Sequence, residues 1–149
     1  MLRDVYSGRL KLFGEEDRDT LAAAHNYAST LLALRRFEEA KSLLRKTMPV
    51  ARRTLGEGHI LTLKLRCSYA AALYKDDSAT PDDLREAVNA IEDVERIERR
   101  ALGGAHPVTR LIEQRLRAAR AALRAREETA SCDVSSLRDA MGALTPRDA

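Results

Sequence analysis

Arg52-Arg53-Thr54-Leu55-Gly56-Glu57-Gly58-His59-Ile60-Leu61-Thr62-Leu63 decides the fold, because its glycine-to-threonine part is written three times in the chain. Gly14-Glu15-Glu16-Asp17-Arg18-Asp19-Thr20-Leu21 precedes it, and Gly103-Gly104-Ala105-His106-Pro107-Val108-Thr109-Arg110 follows it. In each copy a Thr stands six positions after the Gly, and the glycines are 42 and 47 residues apart. Self-similarity at a period of about 20–50 residues marks a stack of supersecondary units rather than a single globular core. The five additional residues of the second period can be placed. Arg36-Phe37-Glu38-Glu39-Ala40 aligns with Asp83-Leu84-Arg85-Glu86-Ala87, and beyond it Leu44 matches Ile91, Val50 matches Ile97 and Leu55 matches Leu102. The insertion therefore falls in the polar, turn-rich run Asp76-Asp77-Ser78-Ala79-Thr80-Pro81-Asp82.

Within each period the apolar spacing is helical. Leu21, Ala24, Ala28, Leu31 and Leu32 form one stripe, Leu63, Cys67, Ala70 and Leu73 a second, and Phe37, Ala40, Leu44, Met48 and Ala51 a third. Steps of three and four put these residues on one face of an α-helix. Pro81 and Pro107 suit a first helical turn, with Thr80 and His106 as caps. Gly56 and Gly103 follow basic last turns and read as helix stops. The pattern predicts helices over about 2–13, 18–35, 37–55, 59–75, 81–102 and 106–128, then a frayed tail with one turn near 134–142. Val134, Leu137, Met141 and Leu144 are spaced to let that tail fold back as a short helix. Pro49 should kink the helix that contains it and leave the carbonyl near Arg45 without a donor.

Composition agrees. Of 149 residues, 24 are Ala, 21 Leu and 21 Arg, while aromatics make up 4%. Strong helix formers dominate and β-branched residues are few, which argues against a sandwich, a barrel or a Rossmann sheet. The formal charge of +3 is concentrated: residues 110–128 hold six Arg and three Glu, and the rest of the chain balances. No apolar h-region opens the chain and no stretch is long and apolar enough to span a membrane. Two cysteines, Cys67 and Cys132, read as ordinary reduced thiols, so a cytoplasmic protein is expected.

Asn26-Tyr27-Ala28, Leu31 and Arg36-Phe37-Glu38-Glu39-Ala40, followed by Leu55-Gly56-Glu57-Gly58-His59-Ile60-Leu61-Thr62-Leu63, resemble tetratricopeptide repeats. The long period and the Leu-Gly-x-x-His link are similar to the kinesin light chain type. The resemblance covers about residues 5–128 and implies an all-α antiparallel helix-hairpin solenoid, TPR-like, of about 2.5 repeats in a right-handed superhelical stack. Residues 1–128 are then one repeat domain, with repeats near 14–55, 56–102 and 103–128, and 129–149 is a tail. It further implies that the first helix of each repeat lines a concave groove. The groove candidates are His25, Asn26 and Ser29 on the first such helix, Lys64, Cys67 and Ser68 on the second, and Gln114 and Arg115 on the third. Asn26 would bond peptide amides, and Lys64 and Arg115 would pair with acidic groups.

The function expected is a protein-protein interaction scaffold holding a peptide or partner protein, acidic in character, in that groove. The plainer reading is a solvated polar face. The alternative function is a structural module that self-associates through terminal helices, as a homodimer or within a longer array. No catalytic group, cofactor or metal is expected. His59 and His106 are repeat-equivalent link residues that should cap helices, and no Cys/His spacing matches a zinc module. Cys67 and His25 fall at equivalent positions of adjacent repeats, where a small groove or core cysteine is the simpler account than a thiol nucleophile. The Arg-rich third helix reads as a solvating end cap. Without interleaved aromatics it offers nucleic acid no stacking platform.

Overall fold

The computed structural model describes residues 1–144, and those residues form six α-helices and no strand. They are α1 (Leu2–Phe13), α2 (Arg18–Ala33), α3 (Phe37–Leu55), α4 (Ile60–Tyr74), α5 (Pro81–Leu102) and α6 (Pro107–Ala143). The three links that repeat in sequence also repeat in structure. Gly14, Gly56 and Gly103 close α1, α3 and α5 at φ of 84°, 96° and 83°. A side chain is strained there, which is why each period starts on glycine. The next helix is capped at once. The Asp17 carboxylate accepts from the Thr20 N–H at 2.9 Å, His59 Nδ1 from the Leu61 N–H at 3.1 Å, and His106 Nδ1 from the Val108 N–H at 3.2 Å. The repeated Thr is buried in all three links. Its hydroxyl donates to Asp17 in the first, to the Ala51 carbonyl in the second and to the Gly103 carbonyl in the third. A buried hydroxyl needs such a partner; the link supplies it in the first and third copies and the body of α3 in the second.

The helices form two layers. Each helix packs on its neighbours in sequence, and the backbones of α2 and α4, and of α4 and α6, also approach closely, whereas those of α1, α3 and α5 do not approach one another in this way. Helices α2, α4 and α6 are therefore the closely spaced inner layer of a curved stack. The others splay on the outside. Ala24, Ala28, Ala40, Ala70, Ala72, Ala87 and Ala119 are fully buried and let the helix axes approach, while Leu21, Leu31, Leu44, Leu65, Leu73, Leu84 and Ile91 fill the space between layers. Each such leucine contributes about 1.5–3 kcal/mol relative to exposure. Helix α3 continues through Pro49, which deprives the Arg45 carbonyl of its helical donor.

The insertion is a pinned turn. Asp76 Oδ1 accepts from the Ser78 N–H at 3.0 Å, and Asp76 Oδ2 meets Lys41 Nζ at 3.3 Å. Lys41 is buried and also paired with Glu38. Burial alone would lower its pKa, but the two carboxylates outweigh that and hold it above the usual lysine value. Burial likewise works to raise Asp76, yet the Ser78 and Lys41 donors leave it below the usual carboxylate range. Thr80 and Asp83 then start α5 with a reciprocal capping box.

Two expectations about the C-terminal part do not hold. The helix expected to end near 128 runs without a break to Ala143, and Val134, Leu137, Met141 and Leu144 stay 58–81% exposed instead of folding back. The physical reason is that no Gly or Pro interrupts residues 108–141, and the apolar stripe resumes in register two turns after Leu123, at Ala130, Val134, Leu137 and Met141. Residues 145–149 of the expected tail lie outside the described residues. The arginines of α6 occupy a defined face. Leu21, Ala28 and Leu31 of α2 align with Leu63, Ala70 and Leu73 of α4, all buried, and with Arg110, Arg117 and Arg120 of α6, all exposed. The face that a further layer would cover is thus written in arginine.

Candidate functional site

A groove of about 500 Å³ runs along α4 on the inner layer, walled by α2 on one side and α6 on the other. Its walls include Leu32, Leu63, Ala71, Tyr74, Val108, Leu111 and Ile112, and Val94 and Glu98 of α5 lie at its floor. Of the eight residues singled out from the sequence, His25, Ser29, Lys64, Cys67, Ser68 and Arg115 line it. Asn26 and Gln114 do not; both are exposed outside the cavity. The repeat register explains the division. His25, Cys67 and Gln114 are equivalent, as are Asn26, Ser68 and Arg115. The lining falls on the first member in α2, on both in α4, and on the second in α6. Successive residues are about 100° apart around a helix, so opposite walls of one groove present different members of the pair.

The groove is cationic and under-compensated. Lys64, Lys75 and Arg115 line it, and none has a carboxylate within ion-pair distance among the described residues. Away from the groove, by contrast, the buried Arg66 meets Glu57 at 3.5 Å and Asp93 at 3.2 Å, and Arg85 meets Glu127 at 2.8 Å. Burial and the Lys64 cation push the His25 imidazole below its ordinary value, with Arg115 adding to this and the Asn26 amide opposing it. Burial raises the Cys67 thiol, and the neighbouring Arg115 guanidinium only partly offsets that. Both shifts disfavour the charged form, the reverse of the thiolate and imidazolium that nucleophilic catalysis uses. Among the described residues no three His, Cys, Asp or Glu side chains gather as a metal would require.

Several lining residues were not expected in the groove, Ile60 and Glu98 among them. Ile60, 55% exposed, forms part of the rim. It stands where the third copy of the link has Pro107, and nothing in the pattern pointed it inward. Glu98 comes from the outer-layer helix α5, from which no groove residue was expected. The only signal was that it aligns with Ala51, a buried core position of the preceding repeat.

Stacked helical hairpins joined by glycine-closed links, with a groove on the inner layer, define a class: helical-repeat proteins. The family follows from comparison with known sequences. The family model described as Tetratricopeptide repeat matches residues 20–61, a span as long as the first period, and this match supports a tetratricopeptide-type repeat protein. No curated protein and no solved structure matches the chain.

Proposed function

We propose that this chain is a protein-interaction module that holds an extended, acidic segment of a partner protein in the groove between α2, α4 and α6. Tetratricopeptide repeats generally serve protein-protein interaction. The observation that carries the finer reading is the set of three unpaired cations, Lys64, Lys75 and Arg115, facing one partly apolar groove. Carboxylates of the partner would complete them, Arg115 in bidentate fashion. The long period and the Leu-Gly-x-x-His link support placement in the kinesin light chain-like subtype, and the unpaired cysteines fit a cytoplasmic, non-catalytic scaffold. No described helix is long and apolar enough to cross a membrane. Random dodecapeptides displayed on phage test the reading. Selection on the full chain should enrich acidic sequences whose binding weakens with salt. Lys64→Glu with Arg115→Glu should abolish it, and unchanged binding by that folded double variant sinks the groove reading.

A second reading, assembly with another copy, is favoured by the end of α6. The face of α6 that α5 covers, at Leu116 and Leu123, continues as Val134, Leu137, Met141 and Leu144 after α5 has begun at Pro81. Arg85 bonded to Glu127, and Arg126 bonded to the Asp77 carbonyl, mark where that cover stops. In this reading a second copy's identical stripe covers it. Sedimentation of the full chain should show a weak dimer that Leu137→Glu dissolves. A monomer at all concentrations would exclude it.

A further inference from the structure

Glu98 is 6% exposed, and its side chain makes no hydrogen bond or ion pair with the described residues, although its charge acts on the Cys67 thiol. Yet no described side-chain oxygen is both fully enclosed and without a partner. The Glu98 carboxylate must therefore open on the groove it lines. The fold does not ask for it: the aligned residue of the preceding repeat, Ala51, is fully buried and apolar. A carboxylate withdrawn from water without a partner is costly unless something completes it. Leu63, Val94 and Ile112 stand with it in the groove, so it combines an apolar wall with an anionic floor beneath a cationic rim.

We infer that Glu98 receives a basic side chain of the bound segment. The methylenes of an arginine or lysine lie along Leu63, Val94 and Ile112, and the cationic head donates to the Glu98 carboxylate. Acidic residues on either side meet Lys64 and Arg115. The partner segment is thus acidic with one basic residue embedded in it, and a purely acidic segment leaves Glu98 unanswered. This rests on the groove reading and adds the identity of one position.

The test is the same dodecapeptide selection, run on the full chain and on Glu98→Gln. The full chain should enrich Arg or Lys at one position flanked by Asp or Glu. Glu98→Gln should keep the acidic preference and lose the basic one. Titration calorimetry on an enriched synthetic peptide closes the cycle, and its arm on the full chain does not depend on the variant's folding. Exchanging its basic residue for methionine should weaken binding at least tenfold to the full chain and leave binding to Glu98→Gln little changed. Acidic peptides without a basic position, or a methionine exchange that costs nothing on the full chain, overturn the inference while the groove reading stands. Failure to enrich any peptide sensitive to Lys64→Glu with Arg115→Glu removes both.

Discussion

Replacing Ala70 by arginine, and in a separate variant Arg117 by alanine, perturbs one repeat position in two layers of the stack. In α4 that position is wholly buried between layers; in α6 it faces solvent. An arginine at 70 has to enter a site where an alanine leaves no room, and overpacking costs about 1–3 kcal/mol. It also carries a charge with no carboxylate arranged to meet it, which costs several more, on the order of 3–5 kcal/mol when a buried charge is left unpaired. The sum, at least about 4 kcal/mol, approaches the whole stability of a domain of about 5–15 kcal/mol. Ala70→Arg should therefore be largely unfolded or melt well below the parent. Arg117→Ala removes an exposed side chain and adds helix propensity, so it should lie within about 0.5 kcal/mol of the parent. Urea titration followed by circular dichroism at 222 nm measures both. A difference between the two variants below about 2 kcal/mol would refute the assignment of α6's arginine face as uncovered.

Two further outcomes follow from the titrating groups. The Asp76 carboxyl is held low by its Ser78 and Lys41 donors, so its contribution is present above the ordinary aspartate value and is lost as pH falls through the depressed one. The urea midpoint of the parent should exceed that of Asp76→Asn at pH 7, and the gap should close below about pH 4; a gap constant down to pH 2.5 would contradict the pinned turn. Cys132 is exposed, while Cys67 is buried with its thiol pushed up. Iodoacetamide at pH 7.5 should alkylate Cys132 quickly and Cys67 only at the rate of opening, and equal rates read by mass spectrometry would count against the burial of Cys67.

Helix order was legible because helix signals are local. Gly14, Gly56 and Gly103, the Thr that follows each, and the three-and-four spacing between them need nothing distant to be read. The limits of α3 and α5 follow from Phe37, Gly56, Pro81 and Gly103 in the same way. The end of α6 was misread because Ser131, Cys132, Asp133, Ser135 and Ser136 look like a loop by composition, while no helix-stopping residue is among them. The groove was legible by face but not by residue. A helix alone does not show how its neighbours are rotated, so the pair Asn26 and Gln114 was taken inward with His25 and Arg115.

The repeat, the six helices up to the extent of the last, and the concentration of positive charge in residues 110–128 are all local features of the chain. All of these rest on spacing and on capping chemistry within a few residues. Only the tertiary structure decided which member of each equivalent set is covered. Leu63 and Ala70 are core while Arg110 and Arg117 are surface, because α5 and α6 cover the first pair and no described helix covers the second. It also brought Glu98, from the outer layer, to the floor of a groove formed by the inner one. Burial is a property of neighbours that sequence spacing does not contain. A carboxylate that reads as one more charged residue of a helix becomes a candidate contact only when the stack closes around it.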